Sequence, residues 1–502
     1  MTPLAAPLAA LDGQTGPAAP LYRQVYERFR GAIVGGVLKP GDRIPSVRAL
    51  TKELGVARGT VEAAYSLLAA EGYIQPRGQA GTIVTPGLSL PASPAPARPL
   101  GEQRSSPPAT QGARRAAPTA PRAMRHAAPG AAPTLGGPPA APLGPFQMGL
   151  PAVDAFPRKI WARLGARCVR ATQPVDMAYP SPHGVPALRA AIAAYLQLSR
   201  GIACSPSQVF VTTGYRHTLE LIVRALLAPA DEVWLEDPGY PPTRELIAHA
   251  RLRGVPVPVD ASGLDVEQGI ARAPHARAAV VTPSHQSPLC VTLALPRRLA
   301  LLDWAARRGA WIIEDDYDGE YRYASRPLPA LKSLDREGRV LYAGTFSKVL
   351  FPSVRLAYLV VPENQVERFE QISRAFSGGP PNLMQALVTV FMAEGHFARH
   401  IQRMRRLYAE RREIAATGLT DILGERLWIE PQPGGMHLVL RLGDGLRDAT
   451  LARRMREMGM APHALSQWSI ARDPGSALLL NFTNVDTLDT ARALARRILA
   501  LI

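Results

Sequence analysis

Between Thr85 and Pro145 the sequence holds fifteen prolines, six arginines, one acidic residue (Glu102) and no aromatic side chain. A segment of that composition buries too little apolar surface to offset the entropy of ordering it, so it is expected to be a disordered linker rich in Pro, Ala and Arg. As a flexible coil it would span about 45 Å, and more with proline stiffening. The linker (85–145) divides the chain into a flexible tail (1–19), a compact unit (20–84) and a long unit (146–502). It should let the compact unit move independently of the long one. The 502 residues exceed one domain, and 47% hydrophobic with 20% charged residues is ordinary globular composition, which excludes wholesale disorder.

Lys and Arg outnumber Asp and Glu by 58 to 41, and the resulting formal charge of +17 favours a polyanionic partner such as nucleic acid or a phosphorylated ligand. Only five of the basic residues are lysines: Lys39, Lys52, Lys159, Lys332 and Lys348. Chemistry that needs an amine therefore has few candidates. The three cysteines, Cys168, Cys204 and Cys290, fit neither a disulfide framework nor a zinc site, and no metal is expected. They suit a reducing cytoplasm. Residues 1–20 lack a basic stretch followed by a long apolar one, and no apolar run approaches 20 residues, so neither secretion nor membrane spanning is expected.

In the compact unit, Leu21, Val25, Phe29 and Ile33 mark one face of a helix that ends at Gly35-Gly36. A second helix starts after the candidate N-cap Ser46, with Val47, Leu50 and Leu54 inward, and Gly55 separates it from a third that begins near Arg58. Tyr73 to Val84 reads as two short strands around a glycine-containing tip. Together these predict a winged helix-turn-helix. Through "KPGDRIPSVRAL", "LGVARGTVEAAYSLLAAEGYI" and "RGQAGTIV" the unit resembles the DNA-binding head of the GntR family of bacterial regulators. In that family the third helix enters the major groove and the wing tip approaches the minor groove. The resemblance thus puts Arg48, Arg58, Gly59, Thr60, Arg77 and Gly78 near double-stranded operator DNA. Arginine at a helix start can grip a phosphate or a guanine edge, and a glycine tip lets backbone amides approach the sugar–phosphate chain.

The long unit alternates short β-rich runs, such as Val209–Thr212, Ala279–Val281, Trp311–Ile313 and Val340–Tyr342, with amphipathic segments such as Arg297–Arg308. That pattern predicts an α/β fold with a mostly parallel sheet. Three clusters end predicted strands, and each suits one part of a phosphorylated pyridine cofactor. Gly344-Thr345-Phe346-Ser347-Lys348, followed by Arg355, offers an amine for an aldehyde beside groups that hold a phosphate dianion. Glu314-Asp315-Asp316-Tyr317-Asp318 offers a carboxylate to keep a ring nitrogen protonated and a phenol for a ring hydroxyl. Thr213-Gly214-Tyr215-Arg216-His217 opens a predicted helix whose first amides can cradle phosphate.

"GTFSKVLFPSVRLAYLV" resembles the Schiff-base block of fold-type I pyridoxal-phosphate proteins, and most closely that of the MocR subfamily of GntR regulators. The resemblance spans essentially all of 146–502 and implies pyridoxal 5′-phosphate (PLP) as cofactor in an aminotransferase-like domain. It assigns Lys348 the Schiff base, Thr345, Ser347 and Arg355 the phosphate side, Asp315 or its neighbour Asp316 the pyridinium, and Tyr317 the ring hydroxyl. Gly214 and Tyr215 belong to the phosphate turn, although Tyr215, Arg216 and His217 depart from the usual small residue and two glutamines. Tyr240 of "EDPGY" can stack on the ring. "VTPSHQSPLC" resembles the family's "TPSHQFPTG", which brings His285 and Gln286 beside the ring, with Ser287, Leu289 and Cys290 departing from it. Cys290 reads as a small buried residue rather than a reactive thiol.

Aminotransferases of this fold present a late arginine to the substrate α-carboxylate. Here the matching strand reads Leu478-Leu479-Leu480-Asn481-Phe482, with Leu479 in the arginine's place and Arg441 or Arg472 as possible substitutes. The expected function is a cytoplasmic transcriptional regulator that senses PLP or an amine ligand, with at most a half-transamination. The resemblance implies a homodimer with cofactor sites near the subunit interface and heads exchanged between subunits. The alternative is an active aminotransferase with a DNA-binding appendage.

Overall fold

The computed structural model describes residues 21–34, 36–70, 73–76, 81–86, 144–323, 329–376, 378–424, 427–432, 434–443 and 445–502. The tail, residues 87–143 of the linker, and Arg77 and Gly78 of the wing tip lie outside the described residues.

The head is built from α1 (Leu21–Val34), β1 (Arg43–Ile44), α2 (Val47–Leu54), α3 (Arg58–Ala70), β2 (Ile74–Pro76) and β3 (Thr82–Val84). Val25, Phe29 and Ile33 are buried as their spacing requires, whereas Leu21 is exposed. The Ser46 hydroxyl accepts from the amide of Ala49 at 3.2 Å, capping α2, and Gly55 closes that helix in the left-handed region at φ 63°. The strands pair antiparallel in the order β1-β3-β2, the sheet of a winged helix.

The body has two sheets. The large one contains β4 (Val209–Thr212), β5 (Glu232–Asp237), β6 (Arg253–Asp260), β7 (Gly263–Leu264), β8 (Ala278–Val281), β9 (Trp311–Asp316), β10 (Val340–Thr345) and β11 (Ala357–Val360). Its order is β4-β11-β10-β9-β8-β5-β6-β7. The central run β10, β9, β8, β5, β6 is parallel, and β11 runs antiparallel to both β10 and β4. β4, β5 and β8 to β10 therefore point the same way and deliver their C-terminal ends to one edge. These strands are apolar on both faces because helices cover both, which is why they read as continuous hydrophobic runs. The small sheet is antiparallel, in the order β12 (Leu427–Ile429), β13 (His437–Leu442), β15 (Ala477–Asn481), β14 (His463–Ala464).

The head is not independent of the body. Leu295 and Leu299, from the first turns of the helix Leu295–Arg308, belong to the same hydrophobic cluster as Val25, Phe29 and Ile33, and Leu334 packs against it. Arg30 donates from Nη2 to the Ser333 carbonyl at 2.7 Å. The turn that carries Ser333 is in turn fixed by β9, because the amides of Leu331 and Lys332 each donate to the Glu314 carboxylate at 2.7 Å. Burying two leucines contributes about 3–6 kcal/mol before the entropy of docking is subtracted. In the sequence these leucines look like an ordinary i, i+4 core pair, so the seam is invisible there.

Candidate functional site

Because the parallel strands end at one edge, the three sequence clusters meet. Lys348, Thr345, Ser347 and Arg355, Asp315 and Tyr317, Gly214 and Tyr215, and Tyr240 all line one cavity of about 460 Å³. The facing wall comes from Met148 and Gly149, just after the linker, and from Met436, His437 and Trp468 of the small-sheet region.

The Lys348 amine donates to the Gly149 carbonyl at 2.9 Å. Gly149 has φ +74°, and a Cβ there would lie 2.3 Å from the amine, so only glycine leaves the amine its place. Burial pushes the Lys348 amine below its ordinary range, against the opposing pull of Asp318 and Asp315. The neutral, nucleophilic form is thereby enriched.

Asp315 and Asp316 separate cleanly. Successive strand residues face opposite ways, so Asp315 lines the cavity while Asp316 sits 2.7 Å from Arg200 Nε and accepts from the Tyr342 hydroxyl at 2.6 Å. No hydrogen bond reaches the Asp315 carboxylate from the described residues. Burial, helped by Asp316 and Glu236, pushes its carboxyl well above the usual range. A buried carboxylate aimed into the cavity, with no ion pair within contact distance among the described residues, is suited to a protonated ring nitrogen.

At the other end, Gly214 (φ +132°) caps the helix Tyr215–Leu226, and a Cβ on it would come 3.7 Å from the Arg355 guanidinium. Arg355 has no carboxylate partner among the described residues. The helix amides and this fork together suit a phosphate dianion. The side chains that depart from the family pattern are engaged elsewhere. The Tyr215 hydroxyl bonds Thr243 at 2.7 Å, Arg216 pairs with Glu245 at 3.3 Å, and His217 bonds Thr213 at 3.1 Å. The Tyr240 ring stands 5.9 Å from that of Tyr215 and 5.8 Å from that of Trp468.

His285, expected beside the cofactor ring, does not line the cavity. It lies behind the wall, with Nδ1 3.1 Å from the Tyr317 hydroxyl and 3.1 Å from Asp318 Oδ2, and Ser287 lines the cavity instead. Gln286 is likewise internal, donating to Glu236 at 3.1 Å and the Pro238 carbonyl at 2.9 Å. In the head, Arg48, Arg58 and Gly59 are exposed and Thr60 half-buried, all on α2 or the start of α3. Arg58 Nε is held 2.7 Å from Glu62.

Residues 21–84 match the bacterial regulatory proteins of the gntR family, and residues 153–485 match the aminotransferase class I and II family. Relatives share both parts. The probable rhizopine catabolism regulatory protein MocR of Rhizobium meliloti is 37% identical over 93% of this chain and 91% of its own. The pyridoxine biosynthesis transcriptional regulator PdxR of Corynebacterium glutamicum is 34% identical over 93% of each chain. The chain belongs to the MocR subfamily of GntR-family regulators.

The body of this MocR-type regulator superposes on aminotransferases. An archaeal alanine:glyoxylate aminotransferase gives a TM-score of 0.66 at 24% identity, covering 72% of this chain and 91% of that one. LysN, the α-aminoadipate aminotransferase of Thermus thermophilus, solved with N-(5′-phosphopyridoxyl)-L-leucine, gives 0.64 at 28% identity, covering 71% and 93%. In this MocR-type regulator the strand expected to carry a substrate-carboxylate arginine, β15, reads Ala-Leu-Leu-Leu-Asn. Leu479 is fully buried in an apolar cluster with Val439, Leu465, Trp468 and Cys290. Neither proposed substitute takes over. Arg441 is committed to Glu430 and the Pro474 carbonyl at 2.7 and 2.6 Å, Arg472 is exposed, and neither lines the cavity.

Met148, Gly149, Met436, His437 and Trp468 escaped the sequence reading. They reach the cavity only through contacts such as Lys348 to Gly149, 199 residues apart, and no local pattern announces them beyond a glycine between apolar neighbours at 148–150.

Proposed function

We propose that this transcriptional regulator holds PLP in the cavity at Lys348, and that PLP itself, or its reaction with an amine ligand, decides how the heads engage an operator. The observation that carries this reading is the convergence on one cavity of an amine (Lys348), a buried carboxylate (Asp315) and a phosphate cradle (Gly214, Arg355). The fit to PLP rests on the Asp315 carboxylate without a hydrogen-bond partner among the described residues, on the space kept free by Gly149 and on the positive φ of Gly214 at the helix start. When bound, PLP supplies an aldehyde carbon and an electron-withdrawing ring. Lys348 would meet the aldehyde, Asp315 would keep the ring nitrogen protonated, Tyr317 would donate to the ring hydroxyl, and Thr345, Ser347, Arg355 and the turn at Gly214–Tyr215 would hold the phosphate. Tyr240 is available for stacking.

Because Leu479 offers no charge to a substrate carboxylate, an amino acid would lose both affinity and orientation. That favours a sensor over a turnover enzyme. A cytoplasmic homodimer accords with the family, and the exposed apolar side chains Val175, Met177 and Tyr179 form a surface that a second copy would cover. In such a dimer Arg48, Arg58, Gly59 and Thr60, with Arg77 and Gly78 of the wing, would meet DNA.

The test is direct. Purified protein mixed with PLP should gain near-ultraviolet or visible absorbance, and borohydride reduction with peptide mapping should leave a phosphopyridoxyl group on Lys348. Mixing with amino and keto acids should yield at most one equivalent of product. Absence of the label overturns the cofactor assignment, and many turnovers would make the body an active aminotransferase.

A further inference from the structure

Behind the cavity wall lies a second constellation that PLP binding does not use. Cys290 sits in the left-handed region at φ 62°, a conformation that favours glycine. Its Sγ is 3.2 Å from His437 Nε2. Close by, with its ring centroid 6.2 Å from that of His437, stands His285, whose Nδ1 is anchored by Asp318 at 3.1 Å and whose Nε2, in a side chain 5% exposed, has no hydrogen-bond partner among the described residues. The thiol thus touches one imidazole, His437, which lines the cavity and whose Nε2 also stands 2.9 Å from the Pro288 carbonyl, while the carboxylate-held His285 lies close by. An imidazole against a thiol is the pairing that activates it as a nucleophile.

The charge balance follows the geometry. Burial alone would raise the Cys290 thiol, yet His437 and His285 bring it down to about 6. Both imidazoles are raised against their own burial, His285 chiefly by Asp318 and His437 chiefly by the sulfur. Two further titratable neighbours, Tyr317 and Tyr323, are pushed well up by burial and stay phenols. The other two cysteines behave oppositely. Burial raises Cys204 to about 11, and it raises Cys168 as well.

We propose that Cys290 is a peroxide-modification site, entered from the cavity past His437. The Sγ thiolate attacks one oxygen of hydrogen peroxide, forming an S–O bond as the O–O bond breaks. Sulfur is oxidised by two electrons to a sulfenic acid, and the departing oxygen takes the His437 proton and leaves as water. The added oxygen must displace His437 or the apolar neighbours Val439 and Leu479, which carries the change into the cavity.

The experiment exposes the full-length protein, stripped of cofactor, to hydrogen peroxide and traps sulfenic acid with dimedone for peptide mapping. Cys290 should label at least ten times faster than Cys168 or Cys204, although it is the most buried of the three. His437→Asn should slow that labelling at least tenfold. In the Cys168→Ser/Cys204→Ser variant, thiolate absorbance should titrate well below the ordinary thiol range, a readout independent of how His437→Asn folds. Labelling of Cys290 no faster than the other two, or an ordinary thiol titration, overturns the proposal. Neither outcome depends on whether PLP binds.

Discussion

The large-sheet and small-sheet ends of the body differ. At the first, the Lys348 amine, the Asp315 carboxylate, the helix N-terminus at Gly214 and the Arg355 fork line one cavity, as the proposed cofactor site requires. At the second, buried Leu479 stands where a late arginine was expected, Arg441 is bound to Glu430, and Arg472 is exposed. On the proposed reading a chain can have what captures a cofactor without what orients a substrate, because the two tasks fall on different sheets. The first belongs to the ends of β4, β9 and β10, the second to β13 and β15.

The contrast can be broken or sharpened by substitution. Lys348→Ala should abolish borohydride-fixed PLP entirely, as mass mapping would show; a label on another lysine would mean the amine was misassigned. Leu479→Arg should not restore transamination. It buries a cation with no counter-charge, at a cost on the order of 3–5 kcal/mol, so calorimetry should record a large fall in melting temperature. Turnover gained without that fall would erase the distinction between the two ends. Arg355→Ala should weaken PLP binding roughly 10- to 100-fold, the equivalent of about 1.5–3 kcal/mol for a hydrogen bond to a charged group, in a spectroscopic titration. The smallest effect is on pH. Since the neutral amine is the reactive form and burial lowers the Lys348 pKa, PLP capture should rise with pH along a curve displaced to lower pH than that of a free lysine. A curve at the free-lysine position would mean the amine is solvated.

Much of this was readable beforehand for a physical reason. Each of the three clusters sits within a few residues of its own strand, and strand-then-turn is a local pattern, so Thr345 to Lys348, Asp315 and Gly214, which the fold brings to one cavity, could be singled out one at a time. Asp315 and Asp316 could be told apart only once the strand's facing was known. The wall opposite, Gly149 and His437 above all, is assembled by tertiary contact. His285 was expected at the ring and lies behind the cavity wall, where Ser287 holds the cavity-facing position. The head's helices followed from the spacing of Val25, Phe29 and Ile33 and from Ser46. Its attachment to Leu295 and Leu299 did not, because burial against a neighbour and burial in one's own core leave the same mark.

That attachment has a mechanical consequence. Glu314 and Asp315 are adjacent on β9; one looks into the cavity, and the other clamps the turn whose Ser333 carbonyl is gripped by Arg30 of α1. A push on the first is shared, through a stiff strand, with the second. News of an occupant can therefore reach α1 of the head by rigid gearing over a handful of packed groups.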